Sequence, residues 1–166
     1  MRRVAAALIA LALLPACFGP DPNVTESGKG KPLLTVEFPE SVSRGSLQTA
    51  TFTVENPGPG DMGSVVIAFA SVGVAGASGP LPAELVPITT SPENPVVESV
   101  SPEPRDVSDD GVVYVFDGLE EGGSLDIAFR IRVPDTAGPA ANSVSVYAGE
   151  DSTRIRGVRL QTVVTG

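Results

Sequence analysis

Leu125-Asp126-Ile127-Ala128-Phe129-Arg130-Ile131-Arg132-Val133 decides the fold. Large apolar residues fill every odd position, while Asp126, Ala128, Arg130 and Arg132 fill the even ones. A period of two sends successive side chains to opposite faces of an extended chain, so this is a strand buried on one side and wet on the other. A helix would scatter the same residues around its whole circumference.

Outward from this strand the chain repeats the theme in short apolar runs separated by turn-forming residues. Upstream, the pattern predicts strands over Leu33–Phe38, ended by Pro39, and over Leu47–Glu55, with Ala50, Phe52 and Val54 on one face. Asn56-Pro57-Gly58-Pro59-Gly60 then turns the chain into Ser64–Val72, whose nearly unbroken apolar character predicts a central strand. A long connection over Gly73–Pro92 holds a short strand at Glu84–Ile88, followed by Pro95–Ser101, an acidic loop over Pro102–Gly111, and Val112–Phe116. Downstream come Asn142–Ala148, with Val144 and Val146 inward, and Thr153–Val164. In the last strand Ile155 is out of step with Val158, Leu160 and Val164, which predicts a bulge at Gly157. With 18 glycines, 16 prolines and no tryptophan among 166 residues, the chain is built for strands joined by tight turns. The expected fold is an all-β, antiparallel sandwich of about 7–9 strands.

Three stretches carry a family likeness. Glu55-Asn56-Pro57-Gly58-Pro59 follows the second strand, Gly118-Leu119-Glu120-Glu121-Gly122 leads into the alternating one, and Val133-Pro134-Asp135-Thr136-Ala137-Gly138 precedes Asn142–Val146. Together they resemble the conserved-repeat domain of unknown function of bacterial surface proteins, an immunoglobulin-like module often found in tandem. The resemblance runs from Leu34 to Val163 and implies an immunoglobulin-like sandwich. It departs from the family at Glu121-Gly122, where Pro-Gly is usual, and in being a single copy. It implies no catalytic residues.

The N-terminus has a different grammar. Arg2 and Arg3 precede an unbroken apolar run from Val4 to Leu14, then Pro15, Ala16 and Cys17. This order of basic, apolar and small residues is that of a secretory signal, and the run is far short of the roughly 20 residues a membrane span needs. Leu14-Pro15-Ala16-Cys17 resembles the lipobox of bacterial lipoproteins, in which the cysteine becomes the first mature residue and its sulfur carries diacylglycerol. The competing reading is an ordinary secretory signal cleaved near Ala16. The expected organisation is a signal peptide over 1–16, a lipidated cysteine and flexible linker over 17–32, and a sandwich domain over 33–166. Acylation would hold the protein on the extracytoplasmic face of a bacterial membrane and would use the only thiol, leaving the domain without a disulfide.

Charge and composition narrow the chemistry. The formal charge is −9, becoming −11 when Arg2 and Arg3 leave with the signal, which disfavours nucleic acid and makes the acyl group the membrane contact. The chain has no histidine, so Ser-His-Asp and Cys-His mechanisms and the usual zinc sites are excluded. A carboxylate pair among Asp106, Asp109, Asp110 and Asp117 could serve glycoside hydrolysis, although only Tyr114 and Tyr147 are at hand to stack on a sugar. Calcium is the stronger chemical reading: Asp106, Asp109 and Asp110, completed by Glu120 or Glu121, offer the hard oxygens it takes. Against it stands a plain solvated turn. Arg154, Arg156 and Arg159 would join Arg130 and Arg132 in a basic contact stripe if both strands share a sheet and Gly157 shifts the parity. Otherwise they keep strands soluble. The expectation is a non-catalytic, membrane-anchored surface lipoprotein with a protein or cell-envelope partner and no cofactor, with a ligand-binding or calcium-stabilised extracytoplasmic domain as the alternative.

Overall fold

The structure is a computed structural model that describes residues 31–72, 81–89, 92–149 and 151–166, those of 151–154 by backbone alone. The expected signal peptide, Cys17 and most of the expected linker lie outside the described residues, as does the side chain of Arg154.

Among the described residues, ten strands form two sheets. In chain order they are β1 (Leu33–Glu37), β2 (Ser41–Ser43), β3 (Leu47–Glu55), β4 (Met62–Ser71), β5 (Val97–Ser101), β6 (Asp106–Val107), β7 (Val113–Leu119), β8 (Ser124–Arg132), β9 (Gly138–Ala148) and β10 (Asp151–Thr165). The four-stranded sheet has the order β1-β3-β8-β5 and the six-stranded sheet the order β2-β10-β9-β4-β7-β6. Among the described residues the strand pairings are antiparallel except β2 with β10, and an isolated parallel bridge joins Ala83 to Ala140.

This arrangement is immunoglobulin-like. In that fold, strands A, B, E and D make one sheet and G, F and C the other; here β1-β3-β8-β5 and β10-β9-β4 take those places. The first strand is divided at Pro39, so β1 pairs with β3 while β2 crosses to β10. The chain also visits β5 before it returns to add β7 and β6 beside β4.

The deciding strand behaves as its alternation requires. Ile127, Phe129 and Ile131 are fully buried, Val133 nearly so, and Asp126, Arg130 and Arg132 are exposed. Its partner β3 buries Ala50, Phe52 and Val54 on the same side. Phe129 stands at the centre of the core, edge-on to Phe52, Phe69 and Tyr114 at centroid distances of 5.6, 5.1 and 4.9 Å. These rings come from both sheets, and edge-to-face pairs add about 0.5–1.5 kcal/mol each beyond the area they bury.

Three buried asparagines tie the loops. Asn56 donates through Nδ2 to Gly60 O and Leu119 O, both at 2.9 Å, and accepts Gly58 N–H at 3.1 Å, joining the β3–β4 turn to the end of β7. Asn94 donates to Pro87 O at 2.7 Å and accepts Val96 N–H at 3.3 Å. Asn142 accepts Val86 N–H at 2.8 Å and donates to Val86 O at 2.9 Å, as a neighbouring strand would.

Two sequence expectations are corrected. Glu84–Ile88 is not a strand; Leu85 and Val86 are fully buried and held there by the Asn142 side chain rather than by a ladder. Nor is there a bulge at Gly157, which pairs with Ser145 in regular register. The irregularity falls between Asp151 and Arg156, which leaves Ile155 49% exposed and keeps Leu160 and Val164 inward.

Candidate functional site

The acidic residues singled out for calcium are not brought together. Asp106 lies on β6 and its Oδ1 accepts the next N–H, of Val107, at 3.0 Å. Asp110 closes the Ser108–Gly111 turn: its Oδ1 accepts the Ser108 hydroxyl and the Val112 N–H, while Asp109 is exposed at the tip. Glu120 and Glu121 lie beyond the other end of β7, whose seven residues span about 23 Å at the usual rise of a strand. Glu121 is already engaged, its Oε2 accepting Gly60 N–H at 2.8 Å. Among the described residues no group of three or more acidic or thiol side chains could hold a metal. Asp106 and Asp110 each commit Oδ1 to local donors, as turn-forming aspartates do.

The tyrosine nearest those acids is unavailable for stacking on a sugar. Tyr114 is 3% exposed, and its hydroxyl donates to Gly111 O at 2.9 Å. Burial pushes its pKa up to about 12. It belongs to the core.

The five arginines do not form a stripe. Arg130 and Arg132 lie on β8 in the four-stranded sheet, whereas Arg154, Arg156 and Arg159 lie on β10 in the six-stranded one. Arg132 pairs with Glu98 on β5 and reaches Gly45 O at 3.4 Å. With Gly157 in register, Arg156 and Arg159 also fall on opposite faces: Arg156 is half-buried and Arg159 exposed.

What the fold assembles instead is an open strand edge. β10 pairs with β9 from Arg156 to Val164, but β2 covers its other side only at Val163–Thr165. The chain upstream of β2 has gone to the other sheet, where β1 pairs with β3, so Arg156–Thr162 has a strand neighbour on the β9 side alone among the described residues. Beside this edge runs a groove of about 580 Å³, lined by Val36 and Phe38 on one wall and by Arg159, Leu160 and Thr162 on the other, with Glu40, Pro82 and Pro139 at its end. Thr162 Oγ1 donates to Pro39 O at 2.7 Å and fixes the point where the first strand changes sheets. At the opposite seam of the sandwich a shallower hollow of about 920 Å³ is lined by Glu93, Glu98 and Glu103 with Val97 and Val107. The two seams thus differ in charge. Sequence reading missed the open edge because β2 is three residues long and β10 fifteen, a mismatch visible only once they pair.

No family model matches the chain, and no curated protein matches it. Among solved structures it is similar to the CARDB domain of the PF1109 protein from Pyrococcus furiosus, at 12% identity and a TM-score of 0.48, covering 89% of this chain and 100% of that one. PapD-like domain 7 of human CEP192 gives 14% identity and a TM-score of 0.37, covering 96% of each chain. Pseudomonas fluorescens alkylpurine DNA glycosylase AlkC gives 12% identity and a TM-score of 0.40 over 82% of this chain, which spans only 31% of the length of that enzyme. None of these similarities assigns an activity, ligand or partner to this chain.

Proposed function

We propose that this protein is a non-catalytic interaction module of a bacterial envelope, held on the extracytoplasmic face of a membrane by diacylglycerol on Cys17. One observation carries the reading: the chain's single cysteine stands directly after Leu14-Pro15-Ala16, at the end of a signal-like apolar run. The sandwich fits this role. Its first strand begins at Leu33, leaving a Pro-, Gly- and Ser-containing segment between cysteine and domain that can act as a leash. The interior is filled by aromatic and branched side chains, so contacts with other molecules fall to edges, loops and outer faces. A binding role also agrees with a histidine-free chain in which Asp106 and Asp110 of the acidic loop accept local hydrogen bonds.

Metabolic labelling with a fatty acid, comparing the wild type with Cys17→Ala, tests the anchor. The expected result is label on the wild type, none on the variant, and release of the variant from the membrane fraction. Equal labelling of both proteins would overturn the reading.

A further inference from the structure

Strand β2 shows what the edge of β10 can hold. It pairs in parallel with Val163–Thr165 and drives Val42 inward to 5% exposure. Val163 donates its N–H to Glu40 O at 2.9 Å, so its polar backbone groups point away from β9. Backbone groups alternate sides along a strand, and the register with β9 is unbroken from Arg156 to Val164. The N–H and C=O groups of Gly157, Arg159 and Gln161 therefore point the same way as those of Val163, onto the uncovered side. Such a row is a template for an added strand.

We propose that this edge binds, by strand addition, an extended segment of a partner protein in which apolar residues alternate with carboxylates. The proposal rests on the interaction-module reading and names the surface and the partner's chemistry. An added strand would turn alternate side chains inward beneath half-buried Val36 and Phe38, as Val42 is turned inward further along the same edge. The other side chains would lie outward, next to exposed Arg159. Charge selects acids for those positions. The far seam is lined by Glu93, Glu98 and Glu103, with Glu98 paired to Arg132, whereas the outward positions of the open stretch of β10, Ile155, Gly157, Arg159 and Gln161, hold one cation and no acid, Glu40 lying at the end of the groove, so an outward carboxylate is attracted beside Arg159. Charge also argues against two copies pairing edge to edge about a two-fold axis, which would set the arginines of one β10 against those of the other.

The test uses the full-length chain in detergent and a fluorescent, end-capped octapeptide alternating valine and glutamate, read by anisotropy. Saturable binding is expected, weakened at least tenfold by Arg159→Glu and at least tenfold when the peptide carries lysine in place of glutamate. Gln161→Pro removes an N–H that faces the open side while sparing the ladder to β9, so it should abolish binding without lowering the melting temperature by more than a few degrees. If that variant fails to fold, Arg159→Glu and the lysine peptide still decide. No binding at millimolar peptide, or equal affinity for both peptides, would overturn the proposal. So would self-association that Arg159→Glu removes, because the edge would then belong to a second copy. Failed peptide binding with Cys17 labelling intact rejects this surface alone; labelling that survives Cys17→Ala rejects the anchor alone.

Discussion

Asn142 sits where β4 ends and the 81–89 segment takes over beside β9, and its amide replaces the strand that is missing there. It also donates to Ala70 O at 3.3 Å, so one fully buried side chain serves three backbone groups. Removing it strands the buried N–H and C=O of Val86, and each buried unsatisfied group costs about 1–3 kcal/mol. Asn142→Ala should therefore lower the unfolding free energy by roughly 2–5 kcal/mol in urea with an unchanged slope, whereas a loss under about 1 kcal/mol would mean the segment is held by Leu85 and Val86 burial and by the backbone hydrogen bonds of Ala83 with Pro139 and Ala141. The sequence showed an asparagine opening a strand and nothing of this role, because its partners lie 56 and 72 residues away. Glu121 is a similar case: its spacing suggested a metal ligand, while the fold spends its carboxylate on Gly60 N–H.

Strands legible from alternation came out nearly as read. β3 spans Leu47–Glu55 and β8 runs Ser124–Arg132, since a half-buried strand writes its two faces into every second residue. β2 and β6, at three and two residues, are too short to carry a period and form only because β10 and β7 offer them an edge. The open edge of β10 makes a direct prediction for hydrogen exchange. Amides of Val158 and Leu160, turned toward β9, should exchange on the order of a hundredfold more slowly than those of Arg159 and Gln161, turned toward solvent. Uniform protection along the strand by NMR would show that something covers this edge.

Stability of the whole domain rests on packing and buried hydrogen bonds, since no thiol lies between Leu33 and Gly166. Its pH dependence follows from Tyr114. The folded-state pKa of about 12 lies above the ordinary value of 10.0, because burial disfavours the phenolate. Between those values the unfolded chain ionises and the folded one does not. The stabilisation is thus complete below pH 10 and is lost as pH rises through 12, by about 2–3 kcal/mol. Denaturation followed from pH 9 to 12 should show this fall in the wild type and a shallower one in Tyr114→Phe; parallel curves would place the tyrosine outside the dry core.

Local chemistry in the sequence was enough to determine an all-β chain, the faces of its long strands and the turns between them, because periodicity and turn formers act over a few residues. The signal-like start and its lone cysteine are likewise local, and they carry the proposed anchor. Only the tertiary structure decided which strands share a sheet. That separated Arg130 and Arg132 from the arginines of β10, set Glu120 and Glu121 a strand's length from Asp110, and left β10 open where the first strand breaks at Pro39. Pairing across the sandwich joins residues more than a hundred positions apart, such as Thr162 and Pro39, and no short-range pattern encodes which edge will be left without a neighbour.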